Sequence, residues 1–370
     1  MKIGIFTFHC AANYGAVLQA YCLQEVLTKM GHEVYVIDYR PKYLIEPYRA
    51  FYYESNRFNS FFSKCKGFIR ACLVSPIRWK RNMMFSKFIN SRLHLYKLDL
   101  NNESNDFDAF VFGSDQIWNP KITNGFDKIY LGDFPAAKGK ILIAYAASVG
   151  SVLNLDDENL NIDYFSYRLK CFDKIFVREK SLAEYLNKFF SIQSDVAYDP
   201  VILAGPDVLN NLLTHLCDKC YKKPYLLLFQ LYRNDDIAEY AKEISDRKDF
   251  DLIEFTTTTE SLFNRKMKQS VSVEKLLFYF KKSSYIITSS FHGTVLSILF
   301  NKQFETVSIA KNIDERAIQL LEDIGLSDRL ITLNNITLDD TLIDYVNVND
   351  LFKYRNQYIV KQLDMELNKK

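Results

Sequence analysis

Along the first 40 residues, apolar and polar positions alternate between two periods. "KIGIFTF" is a short apolar run, "HCAANYG" is a polar turn, and "AVLQAYCLQEVLTKM" repeats its apolar residues at helical spacing, with Val17, Leu18, Tyr21, Cys22, Val26 and Met30 on one broad side. Gly31 marks the stop, and "EVYVIDY" reads as a second strand. This is the opening of a doubly wound sheet.

The same grammar resumes with strand "DAFVF", loop "GSDQIWNP", strand "KILIAYA" and the unit "DKIFVREKSLAEYLNKFF". Pro200, Gly205 and Pro206 then interrupt it near "DVAYDPVILAG". Beyond this break, "YLLLFQL", "DIAEYAKEISDR", "DLIEFTTT", "VEKLLFYFKK", "SYIITSS", "GTVLSILF" and "FETVSIA" alternate strand with helix, and a final helix runs through "NVNDLFKYRNQYIVKQLDMELNKK". The expected fold is therefore α/β, with two facing Rossmann-like domains and a C-terminal helix. The expected boundaries are 1–199, carrying a basic helical insertion at about 45–97, then 200–345 and 346–370. Ligands would sit in the cleft between such domains, over the carboxyl ends of the strands.

Composition narrows the class. With 48% hydrophobic and 25% charged residues and only 8 prolines in 370, disordered and fibrous proteins are excluded. No apolar run approaches about 18 residues, and "MKIGIFTFHC" enters a strand without a leader, so a cytoplasmic location is expected. Seven scattered cysteines suit reduced thiols; Cys217 and Cys220, with only His215 nearby, read as a solvated loop rather than a metal site. The net charge of +2 conceals an imbalance: between Pro41 and Lys97 stand 12 Lys or Arg against Glu46 and Glu54, among many aromatics. Such a composition could bind nucleic acid, equally suits an anionic membrane surface or a lipid diphosphate, and as readily belongs to a solvated set of helices.

Candidate chemistry gathers in the strand-to-helix turns. Asn13, Tyr14 and Gly15 open the first helix, where backbone N–H groups and the helix dipole favour an anion or are simply capped. No G-x-G-x-x-G is present, which argues against a dinucleotide cofactor. In "FGSDQIWNP", Ser114, Asp115, Gln116 and Trp118 follow a buried strand. Asp115 is a candidate base or a cap, and Trp118 either stacks on a sugar or fills core. Arg178 in "FVREKS" either grips a carboxylate or phosphate or pairs with a neighbouring acid such as Glu179. In "TSSFHG", Ser289, Ser290, His292 and Gly293 occupy the matching turn of the second half. His292 there is a candidate general acid or a structural hydrogen-bonding residue. Neither H-E-x-x-H nor G-x-S-x-G occurs.

Taken in order, "NYGAVLQAY", "FGSDQIWNP", "VREKS", the Asp199–Pro200 pair and "SFHGTVLSILF" resemble the bacterial polysaccharide pyruvyl transferase family across about residues 3–310. The resemblance implies a GT-B-like two-domain architecture. It also implies transfer of a pyruvyl group from phosphoenolpyruvate onto two hydroxyls of a saccharide, with no metal and no cofactor beyond that donor. Carried over by motif, Arg178 and His292 match the family's functional Arg and His. A functional lysine falls best on Lys311, with Lys302 as the alternative. His292 would protonate the donor's methylene carbon, with Asp115 as base, and Arg178, Lys311, Ser289, Ser290 and the Gly15 and Gly293 amides would hold its anionic groups. The implied acceptor is a saccharide, typically lipid-linked, so the expected partners are phosphoenolpyruvate, that acceptor and the cytoplasmic face of the inner membrane, with no nucleic acid. A nucleotide-sugar glycosyltransferase or a noncatalytic glycan-binding relative would use the same architecture.

Overall fold

A computed structural model describes residues 1–53, 60–214, 223–257, 268–308, 315–332 and 341–369. The chain divides into two compact units. The first comprises Met1–Ile45, Ile89–Val208 and Asp350–Lys370, and the second Glu46–Phe88 and Leu209–Asn349.

The first unit is built on β1 (Lys2–Phe6), β2 (Glu33–Ile37), β3 (Leu95–Tyr96), β4 (Ala109–Asp115), β5 (Ile141–Ala147), β6 (Lys174–Val177) and β7 (Asp195–Val196). They form one parallel sheet in the order β3-β2-β1-β4-β5-β6-β7. β5 is buried at every residue and β4 at all but its last, which explains the apolar runs Ile141–Ala147 and Ala109–Phe112: parallel strands covered by helices on both faces have no polar side. The order reverses between β1 and β4, so the chain leaves their carboxyl ends in opposite directions and opens a crevice there.

The second unit repeats the plan with β8 (Tyr225–Gln230), β9 (Asp251–Thr256), β10 (Tyr285–Thr288), β11 (Gln303–Ser308) and β12 (Leu330–Thr332), parallel in the order β12-β11-β10-β8-β9. Its reversal lies between β8 and β10. Amphipathic helices Asp235–Arg247 and Val273–Lys282 bury Ile237, Tyr240, Ala241 and Ile244, and Leu276, Leu277 and Phe280, respectively.

Two segments group differently from their order in sequence. The basic stretch expected within the first domain contributes residues Glu46–Phe88 to the second unit, and contacts decide this: Arg81 donates to the carbonyl of Thr257, and Ala71, Val74 and Phe85 are buried. The C-terminal helix Tyr345–Leu367 belongs from Asp350 onward to the first unit. There Asn356 Nδ2 donates to Ile202 O at 2.9 Å, Phe352 packs edge-on against Tyr198 at 5.5 Å, and Arg355 donates to the Tyr198 hydroxyl. Cys217, Cys220, His215 and Lys311 lie outside the described residues.

Candidate active site

In the first unit, the polar side chains at the carboxyl ends of β4, β5 and β6 form two buried hydrogen-bonded groups. Arg178, the residue after β6, places Nη2 3.0 Å from Asp199 Oδ2, with side chains 3% and 0% exposed. The same nitrogen donates to Ser114 Oγ at the end of β4. Asp199 is held in turn, since its Oδ1 accepts from Val201 N at 3.0 Å. The acid that pairs with Arg178 is thus Asp199, 21 positions along the chain, while Glu179 takes a hydrogen bond from Ser148 Oγ at 2.7 Å. Gly150 N donates to that same serine oxygen at 2.9 Å.

Backbone geometry at the end of β4 is unusual. Gly113 has φ 123°, and a Cβ there would fall 2.1 Å from the Tyr145 carbonyl oxygen, so no other residue fits. Asp115 has φ 80°, a region that non-glycine residues rarely occupy and that clusters at functional turns. Its Oδ1 accepts from Gln116 N at 2.8 Å, and its side chain is half-buried. Gln116 accepts from Asn119 Nδ2 at 2.6 Å. Asp115 therefore keeps solvent access beside a rigid turn.

Trp118 is not a stacking surface. It is 1% exposed, its Nε1 donates to Tyr130 O at 3.0 Å, and it meets Phe165 and Phe172 edge-on. An indole with its N–H satisfied and both faces packed is core. The amides expected to grip an anion are also engaged: Gly15 N donates to Asn13 Oδ1 at 2.9 Å and Gly293 N to Ser290 Oγ at 3.4 Å, so both helix starts are capped by their own side chains. Tyr14, at the same start, is buried.

A second cluster in this unit has no counterpart in the sequence reading. His9, fully buried after β1, sets Nε2 3.0 Å from Asp38 Oδ1 and Nδ1 3.3 Å from Thr7 O. Asp38 also accepts from Arg40 Nε at 2.5 Å. The hydrogen bond from His9, opposed by burial and reinforced by Arg40, holds the Asp38 carboxyl down at about 2. The only available signal was a histidine in the first strand-to-helix turn, whose partner 29 positions away no local pattern marks.

In the second unit, β10 ends at Thr288 and the helix Phe291–Leu299 begins after Ser290, at the point where the strand order reverses. Thr288 Oγ1 ties the turn down by donating to Phe229 O at 2.8 Å and accepting from Ser290 N at 3.1 Å. Gly293 is dictated by space: a Cβ would lie 2.1 Å from Thr288 Oγ1 and 2.9 Å from Phe229 Cδ1. His292 projects from this first helical turn half-buried, against the edge of Phe291. Ser289 Oγ is buried and finds no hydrogen-bond partner among the described residues. A buried hydroxyl left unmatched costs roughly 1–3 kcal/mol, so this turn presents a donor suited to an incoming ligand.

Lys302 is excluded from that turn. It precedes β11, at the other end of the parallel sheet, and its Nζ donates to Ser283 O at 2.9 Å. Since Tyr285 pairs with Gln303 and Thr288 with Thr306, the strand alone separates it from the β10 terminus by roughly 10 Å at ~3.3 Å per residue. Among the described residues no group of three His, Cys, Asp or Glu side chains is arranged to hold a metal ion.

The family model for polysaccharide pyruvyl transferase matches residues 13–308, which contain every motif described above. No curated protein sequence matches. Among solved structures, the chain is similar to UDP-GlcNAc 2-epimerase from Neisseria meningitidis bound to UDP-GlcNAc, with 10% identity over 100% of this chain and 94% of that one and a TM-score of 0.49. It is also similar to UDP-GlcNAc 2-epimerase from Methanocaldococcus jannaschii, with 12% identity over 100% and 94% and a TM-score of 0.46. Arabidopsis thaliana UGT89C1 gives 8% identity over 99% of each chain and a TM-score of 0.46.

Proposed function

The chain belongs to the polysaccharide pyruvyl transferase family, and from that premise we infer that it transfers the pyruvyl group of phosphoenolpyruvate to two hydroxyls of one saccharide, releasing phosphate and leaving a cyclic ketal. The observation that carries this reading is the turn after β10, where half-buried His292 stands beside the buried, unmatched hydroxyl of Ser289 at the strand-order reversal. A proton donor and a hydroxyl donor at one turn suit an anionic enol ester that must be protonated to react.

The reaction balances without redox change. A proton from imidazolium His292 goes to the methylene carbon, and the first sugar hydroxyl adds to the adjacent carbon while losing its proton to a base. The second hydroxyl then displaces inorganic phosphate from the same carbon and loses its proton. Asp115, half-exposed at the end of β4, is the proposed base. Arg178 is assigned a different task from the one its motif suggests alone. With Asp199 and Ser114 as partners, it fixes the end of β4 and thereby the Asp115 turn, acting as a positioning residue. A saccharide on a lipid carrier is the proposed acceptor.

The test is acceptor-dependent phosphate release from phosphoenolpyruvate, measured with a panel of lipid-linked saccharides. Turnover of a nucleotide sugar without such release would instead favour a glycosyltransferase.

A further inference from the structure

The helix Phe61–Arg92 contains eight Lys or Arg and no acid, and its two long faces are both apolar. One face is buried through Ala71, Val74, Phe85 and Phe88. On the other, Phe62, Ile69, Pro76 and Met83 recur every seven residues, with Cys65, Cys72 and Trp79 between them at the same interval, and all seven are exposed. At ~100° per residue these positions fall on one stripe opposite the buried one. The exposure is large: Phe62 is 79% and Trp79 60% accessible. Lys64, Lys66, Arg70, Lys80 and Lys87 are exposed along the same helix. Arg81 instead turns inward, to the Thr257 carbonyl and the Phe85 ring. The cationic character of the outer surface therefore rests on the lysines and Arg70.

We propose that this outward stripe lies on a bilayer containing anionic phospholipid, with Phe62, Ile69, Trp79 and Met83 in the headgroup–acyl boundary and the lysines against headgroup phosphates. Charge selects this occupant. A second copy of the chain would bring another acid-free helix against this one, and the cations would repel. A nucleic acid would satisfy the cations but leave the apolar stripe in water. An anionic interface meets both requirements, and no described helix is long and apolar enough to cross it, so the contact is lateral. The inference stands independently of the reaction inferred above.

The test uses the full-length protein and two vesicle populations, phosphatidylcholine alone and phosphatidylcholine with roughly a third phosphatidylglycerol. At low ionic strength the protein floats with the anionic vesicles and not with the neutral ones. Lipids brominated in the upper acyl chain quench Trp79, whereas Trp118, buried in the first unit, serves as the unquenched reference. Combined Lys66→Glu, Lys80→Glu and Lys87→Glu weakens partitioning by on the order of a hundredfold or more, given the surface contribution of each cation. Combined Phe62→Ser, Ile69→Ser and Met83→Ser weakens it by about tenfold or more and leaves thermal stability unchanged, because all three side chains are exposed. Equal flotation with both vesicle types would overturn the proposal. So would anionic binding that leaves Trp79 unquenched and both variants unaffected, or a homodimer that the serine variant abolishes.

Discussion

Arg178 Nη2 and Asp199 Oδ2 meet at 3.0 Å with both side chains almost wholly withdrawn from solvent, and the same guanidinium holds Ser114 at the end of a neighbouring strand. Removing one member of such a pair leaves a buried charge without compensation, at a cost of about 3–5 kcal/mol. Arg178→Ala is therefore expected to lower the urea midpoint steeply. Arg178→Met combined with Asp199→Leu should recover much of that loss, because neither charge is then stranded. Equal destabilisation by the single and double changes would show that the pair is not the source.

Gly293 is a spatial requirement of the β10 turn. Gly293→Ala would push Cβ into Thr288 Oγ1 and the Phe229 ring, and such overpacking costs typically 1–3 kcal/mol. Because the same shift displaces the first helical turn, the variant should lose turnover while its remaining folded fraction keeps its circular dichroism. Combining it with Thr288→Ala removes the nearest atom and should restore part of the stability. An alanine variant as stable as the parent would contradict the packing account.

The His9–Asp38 pair predicts an acid-dependent term in stability. Asp38 has a folded value of about 2 against an ordinary 3.8, so its contribution is fully present above about pH 4 and fades as the pH falls toward 2. With the side chain only 13% exposed, that shift corresponds to about 2 kcal/mol. Asp38→Asn should be less stable than the parent by about this much at pH 6, with the gap shrinking below about pH 4 and mostly gone by about pH 2. A gap independent of pH would mean that the carboxylate charge is not what matters.

How much of this could be read from the chain follows from what each signal encodes. β5 and the apolar stretches Ala109–Phe112 of β4 and Tyr225–Phe229 of β8 were legible because a strand buried on both faces reads as an apolar run, whereas Gly113–Asp115, read as loop, continue β4. The edge strands β3 and β7, two residues each, carry too few positions for a period. His292 and Ser289 were legible as polar residues between two buried elements. Trp118 was ambiguous, since an aromatic after a strand packs or stacks with equal ease and only the Tyr130 carbonyl and the Phe165 and Phe172 rings decide it. Arg178 was placed correctly at a strand end, but its partner depends on β6 and the Asp199 turn coming together in space. The membership of Glu46–Phe88 in the second unit is likewise set by tertiary contacts such as Arg81 to Thr257, which no local pattern contains.

The role of His292 gives the most direct test of the account. With phosphoenolpyruvate and a lipid-linked saccharide that the parent enzyme accepts, one phosphate should be released per acceptor converted to its pyruvate ketal. His292→Ala should lower kcat by about 10²–10⁴-fold, the usual contribution of a positioned general acid, with a smaller effect on stability because the residue is only half-buried. Phosphate release in His292→Ala at the parent's rate, under the same conditions and with the fold intact, would contradict the assignment.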